Sequence, residues 1–333
     1  MQFLEEFGGA AMATADQIKS LIRSHFSDEP ERFYTIALQV AAHEAKKGHS
    51  DLAHDIRKIV DMERKKRGPR VLSFPQNLKG LVLTEEPETS KQVLVMKDDI
   101  QSRFDQVIHE YRQQAKLKSH GLSHRRKILL IGPPGTGKTM TAKVLAYELK
   151  IPLNTVQVDR LVTKFMGETS AKLRQIFDFM RDNLGVYFFD EFDAIGGERS
   201  MDNDVGEMRR VLNAFLQFIE QDISDSIVVA ATNNPRLLDR ALFRRFDDVL
   251  YYEKPADKEK QALISNRLGK FKPAGFGWKT VLEKSSGLSH SEIALACNDA
   301  IKTAILTDKK KIDAADLCLM ISNRQSAHRG IHG

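Results

Sequence analysis

Eight consecutive residues, Gly132-Pro133-Pro134-Gly135-Thr136-Gly137-Lys138-Thr139, have the types and spacing of a phosphate-binding loop. Its glycines let successive backbone N–H groups turn inward at a helix N-terminus, where they cradle phosphate oxygens. Lys138 can reach the β- and γ-phosphates of a nucleotide such as ATP, and the Thr139 hydroxyl can ligate Mg²⁺. The apolar run Ile128–Ile131 before the loop reads as a strand, and Met140–Leu149 after it reads as a helix. That context disfavours a merely structural glycine turn.

Some fifty residues further on, Val186-Tyr187-Phe188-Phe189 leads into Asp190 and Glu191. An apolar strand ending in two carboxylates places Asp190 beside the phosphate loop, where it can hold Mg²⁺ through the water shell. Glu191 adds a carboxylate that can activate a water for attack on the γ-phosphate. A further strand, Ile227–Ala231, ends in Thr232-Asn233-Asn234-Pro235. Asn233 can hydrogen-bond the lytic water and the γ-phosphate, or the string can equally be a plain Asn-Pro turn. In Asp239-Arg240-Ala241-Leu242-Phe243-Arg244-Arg245-Phe246-Asp247, adjacent arginines are either salt-bridged surface or donors of charge to a neighbouring subunit's γ-phosphate.

These residues need elements to hold them. Apolar runs at 127–131, 153–158, 186–189, 227–231 and 249–252 alternate with amphipathic segments, which predicts a parallel sheet covered by helices. Ile100, Phe104, Val107, Ile108 and Tyr111 share one face of a helix expected from Asp98 to Lys118. Residues 15–67 carry three stretches of helical periodicity broken at Ser27–Pro30 and Gly48–Ser50, a small three-helix bundle with no catalytic pattern. The expected organisation is an N-terminal helical interaction domain over 1–67, a linker over 68–92, an α/β ATPase core over 93–254, a helical lid over 255–322 and a flexible tail over 323–333. Met12 can serve as a second start, since residues 1–11 have little periodic pattern.

Composition excludes several classes. The 333 residues are 41% apolar and 29% charged, a globular rather than disordered profile. No run approaches the ~18 consecutive apolar residues of a membrane-spanning helix. Two cysteines, Cys297 and Cys318, give no disulfide framework and suit a reducing compartment, so the expected location is the cytoplasm. The 51 basic and 45 acidic residues leave a net charge of +6, but both signs are interspersed, which permits nucleic acid without requiring it.

Together these strings resemble the AAA+ ATPases, specifically the AAA clade proper, over about residues 90–322. The resemblance implies a P-loop NTPase fold, a parallel sheet with a helical lid, assembled as a homo-oligomeric ring (usually a hexamer) with ATP between subunits. It implies that Lys164-Phe165-Met166-Gly167, expected just before a helix Ser170–Met180, is a pore loop gripping polypeptide. Asp202–Gly206 would be a second, less regular one. Gly287-Leu288-Ser289-His290-Ser291 resembles the lid turn beside the adenine, with His290 and Ser291 replacing the usual small pair, and further adenine contacts are expected near 94–100. Arg245, before Phe-Asp, aligns with an arginine finger and Arg244 is the second, although the usual Pro-Gly is missing; no second-sensor arginine is seen. The implied function is an ATP-driven protein remodeller or unfoldase. The alternatives are a nucleic-acid loader, which the absence of a basic, aromatic-interleaved stripe argues against, and an ATP-gated scaffold for a partner. A separate peptidase or adaptor could bind the N-terminal bundle. The chain contains no H-E-x-x-H or G-x-S-x-G string, and its tail lacks the hydrophobic-Tyr ending by which proteasomal ATPases dock.

Overall fold

A computed structural model describes residues 19–21, 23–24, 30–66, 78, 80–161, 166–192, 204–234 and 243–329. The chain divides into two compact units, residues 1–70 and 71–333. In the first, α1 (Pro30–Lys46) and α2 (Ser50–Lys66) form an antiparallel hairpin around Tyr34, Ala37 and Val60, against which Leu21, Phe33, Leu38 and Ile56 pack. Residues 19–21 and 23–24 are also helical; residues 1–18 and the expected break at 27–29 lie outside the described residues.

The second unit is built on one mixed, mainly parallel sheet. Its strands are β1 (Val82–Glu85), β2 (Lys127–Ile131), β3 (Leu153–Val156), β4 (Val186–Phe189), β5 (Ile227–Thr232) and β6 (Asp248–Tyr251), in the order β1-β3-β4-β5-β2-β6. β1 alone runs antiparallel to its neighbour, with Val82 opposite Val156. β4 and β5 are buried along their whole length, as strands covered on both faces must be. Alternate residues feed two cores. Leu129, Ile131, Tyr187 and Phe189 enter one, covered by α7 (Met166–Asp182) and α8 (Asp204–Gln221). Ile128, Leu130, Val186 and Phe188 enter the other, covered by α3 (Asp98–Arg112) and α5 (Lys138–Leu149). The remaining core elements are α4 (Gln114–Ser119) and the one-turn α6 (Val158–Leu161). The lid comprises α9 (Asp257–Leu268), α10 (Trp278–Lys284), α11 (His290–Leu306) and α12 (Ala314–Arg329) around a third core containing Ile264, Ile293, Ala296 and Cys297.

Four expectations are corrected. The lid does not end at 322: α12 continues through Arg329, so the first seven residues of the tail expected over 323–333 are helical. The stretch read as a linker, 68–92, carries β1, and Leu78, Leu81 and Val82 are buried there. The helix expected over 98–118 is two helices, because Gln113 leaves helical geometry at φ −104°, ψ 16°. The strand expected over 153–158 stops at Val156, and Val158 begins α6. The described residues contain no helix long and apolar enough to cross a membrane. Cys297 is fully buried, which pushes its thiol up to about 12, and Cys318 is partly buried.

Candidate nucleotide site

The glycine-rich loop joins β2 to α5, with Gly137 at the helix N-cap in the left-handed region at φ 105°. Lys138 is therefore the first residue of α5. Its buried Nζ donates to the carbonyl oxygens of Gly132 (2.7 Å) and Pro133 (3.0 Å) and to Oδ1 of Asn233 (2.7 Å). The pairing of Ile131 with Thr232 brings Asn233 to the loop, so neighbouring strand ends deliver both partners. Gly132 itself is required by close approach: a Cβ there would lie 2.3 Å from the Tyr252 carbonyl oxygen. Tyr252 in turn shares a 2.7 Å hydrogen bond with Thr141 of α5, and burial pushes its phenol upward.

The end of β4 presents the carboxylates. Thr139 Oγ1 donates to Asp190 Oδ2 at 2.9 Å, and the Glu191 N–H donates to Asp190 Oδ1 at 2.9 Å. Glu191 has φ 49°. A non-glycine residue enters that left-handed region at a cost of roughly 1–2 kcal/mol, and such strain gathers at functional sites. Thr139 and Asp190 form a hard-oxygen donor set suited to Mg²⁺.

Pro134, Gly135, Thr136, Gly137, Lys138, Thr139 and Met140 line a cleft of about 520 Å³ with Asp190, Glu191 and Asn233. The lid contributes His290, Ser291, Leu263 and Arg267, and an apolar wall comes from Val93, Leu94 and Val95. The lid is tied to the loop through its backbone, since the Ser291 N–H donates to the Gly135 carbonyl at 3.0 Å. Ser289 and Glu292 cap α11 reciprocally, which fixes where His290 and Ser291 fall. Burial pushes the His290 imidazole downward, against an opposing pull from Glu259.

Not every sequence-predicted residue lines the cleft. Gly132 and Pro133 do not line the cleft but hold Lys138 from behind. Of the stretch 94–100, Leu94 and Val95 line it, while Asp98 already starts α3. Arg244 and Arg245 are absent from the lining. Phe246 is buried, and Asp247 Oδ2 accepts from the N–H groups of Arg126 and Lys127 at 2.9 Å each. This anchoring leaves Arg244 exposed and puts Arg245 Nη1 2.9 Å from Glu220 Oε2. Lys164 and Phe165 lie outside the described residues; Met166 and Gly167 begin α7, ahead of the expected Ser170, with Glu168 suiting the positive end of the helix dipole. Asp202 and Asn203 also lie outside the described residues, and α8 begins at Asp204. Sequence reasoning missed Arg267 and Asn298, which line the cleft from two lid helices. No motif marks either; only the fold brings them to the loop.

A mainly parallel sheet with a phosphate loop after β2, paired acids at the end of β4 and a helical lid defines a nucleoside-triphosphate-binding ATPase. The profile described as "ATPase family associated with various cellular activities (AAA)" matches residues 128–254. The uncharacterized AAA family ATPase y4kL of Sinorhizobium fredii is 35% identical over 314 residues, covering 92% of this chain and 93% of that one. The chain therefore belongs to the AAA family and is an ATPase. It is also similar to the ATP-dependent zinc metalloprotease FtsH 1 of Methylacidiphilum infernorum, at 31% identity over 66% of this chain and 36% of the relative. The Rickettsia felis ATP-dependent zinc metalloprotease FtsH is 28% identical over 75% of this chain and 41% of its own. The chain thus spans well under half the length of these two.

Proposed function

We propose that the protein is a ring-forming, Mg²⁺-dependent remodeller that converts ATP hydrolysis into work on polypeptide. The observation that carries the chemistry is the junction of Lys138, Asn233, Thr139, Asp190 and Glu191 on one cleft wall. Lys138 and the loop amides bind the triphosphate and spread its charge. Thr139 and Asp190 would hold Mg²⁺, which when bound supplies further positive charge to the phosphate oxygens. Asn233 orients water and γ-phosphate, and Glu191 takes the proton from the attacking water. His290 and Ser291, with the apolar wall at Val93–Val95, take the nucleoside end.

Arg245 and Arg244 act in trans in this reading, because neither lines the cleft of its own chain. The polypeptide grip is assigned to Lys164, Phe165, Met166 and Gly167, on the clade resemblance and on the similarity to proteins named ATP-dependent proteases. No protease activity is assigned to this chain, which has no H-E-x-x-H string. Any peptidase or adaptor would be a separate cytoplasmic partner of the N-terminal bundle. The test is ATP turnover with unfolded protein or with DNA added. Stimulation by unfolded protein alone supports the remodeller, and stimulation by DNA alone overturns it.

A further inference from the structure

Arg245, a candidate site residue, makes an ion pair outside the cleft, and its partner is defined. Glu220 lies in the last turn of α8, a helix held down by buried Phe215, Leu216 and Ile219. Its Oε2 stands 2.9 Å from Arg245 Nη1, with the arginine side chain 31% and the glutamate 52% exposed. On the other side, Phe246 and Asp247 fix the backbone of the turn to the core and to β2. The guanidinium is thus pinned at its root by a packed phenylalanine and at one nitrogen by a carboxylate on a rigid helix.

We propose that Glu220 is a positioning residue for Arg245, holding one nitrogen so that the rest of the guanidinium fork is presented to the neighbouring subunit's triphosphate. This rests on the trans-acting role proposed above. An arginine has five donors in a planar fork, so one contact to Glu220 leaves others for a phosphate. A free arginine side chain must give up much rotamer freedom to engage a phosphate, and a tethered one has surrendered part of it already. The pair is half exposed and correspondingly weak, so the arginine can adjust to a ligand without breaking a buried contact.

The test uses full-length chains in two-component mixtures. Arg245→Ala protein keeps Glu191 and serves as acceptor; Glu191→Gln protein keeps Arg245 and serves as donor. Their mixture should hydrolyse ATP at interfaces where both intact residues meet. Adding Glu220→Gln to the donor should lower that rate by roughly two- to fivefold, the range implied by a half-exposed ion pair. Adding it to the acceptor should leave the rate unchanged, and Glu220→Asp on the donor should recover part of the loss. Equal losses from either placement, or no loss from the donor placement, would overturn the role of Glu220 alone. An inactive parent mixture would overturn the trans-acting Arg245 and this proposal with it.

Discussion

Lys138 and Glu191 face the same cleft, but their loss should be felt at different stages. Lys138 makes three polar contacts that tie the loop to Asn233, so Lys138→Ala removes both a phosphate partner and a loop strut. Its predicted effect is on nucleotide affinity, measured by titration with ATP. Glu191 makes no such strut; its side chain is exposed to the cleft at a strained backbone position. Glu191→Gln should therefore bind ATP near normally and hydrolyse it about 10²–10⁴-fold more slowly, as loss of a general base does. Near-normal phosphate release by that variant would remove Glu191 from its role. At this scale the sequence was highly informative for groups carried on strand ends, because loop spacing and strand polarity determine where they go. It was silent on Arg267 and Asn298, whose place depends on how the lid folds back over the loop.

At the scale of elements, the lid is joined to the phosphate loop by a direct backbone contact. The lid touches the phosphate loop through Ser291 N–H and the Gly135 carbonyl, and a Cβ on Gly135 would fall 2.2 Å from Ser291 Oγ. Gly135 also has φ 72°, so Gly135→Ala is strained in its own backbone as well as crowded against the lid. It should weaken ATP binding while leaving the core folded, checked by calorimetric titration alongside circular dichroism. Ser289 caps α11 in a reciprocal box with Glu292, and Ser289→Ala should cost about 1 kcal/mol, read as a lower thermal midpoint. The parallel strands were legible because both their faces are buried and their sequences run apolar. β1 was not. It is a four-residue edge strand with exposed Leu83 and Glu85, set among prolines and polar residues, and its pairing with β3 is a long-range contact that no local pattern encodes. The break at Gln113 was hidden for a different reason: neither glycine nor proline marks it, and the apolar periodicity simply ends at Tyr111.

At the scale of the whole molecule, His124 is a pH-sensitive weak point away from the site. His124 is 3% exposed, stands edge-on to Tyr111 with ring centroids 5.3 Å apart, and has no partner for either ring nitrogen among the described residues. Burial pushes its pKa below the ordinary 6.5, against Asp225 and with help from Arg126 and Lys118. The unfolded chain then binds the proton more readily than the folded one. Stability from the neutral ring is full above about pH 6.5 and is lost as the pH falls from there through the lower folded value, at up to about 1.4 kcal/mol per pH unit. Urea midpoints measured across that range should fall with acid in the wild type, and the part due to this ring should vanish in His124→Phe.

We propose that ATP turnover in this chain is coupled to polypeptide through the segment around Phe165. In the proposed function Phe165 grips polypeptide, and loss of that apolar contact would remove roughly 1–3 kcal/mol at each engaged subunit. The direct measurement is ATP-dependent unfolding of a tagged fluorescent protein, run beside phosphate release, for wild type and Phe165→Ala. Wild type should unfold the substrate, and Phe165→Ala should abolish unfolding while basal phosphate release persists. Unfolding that continues unchanged in Phe165→Ala would contradict it, as would the joint collapse of both activities, which would place Phe165 in the packing of the ATPase core.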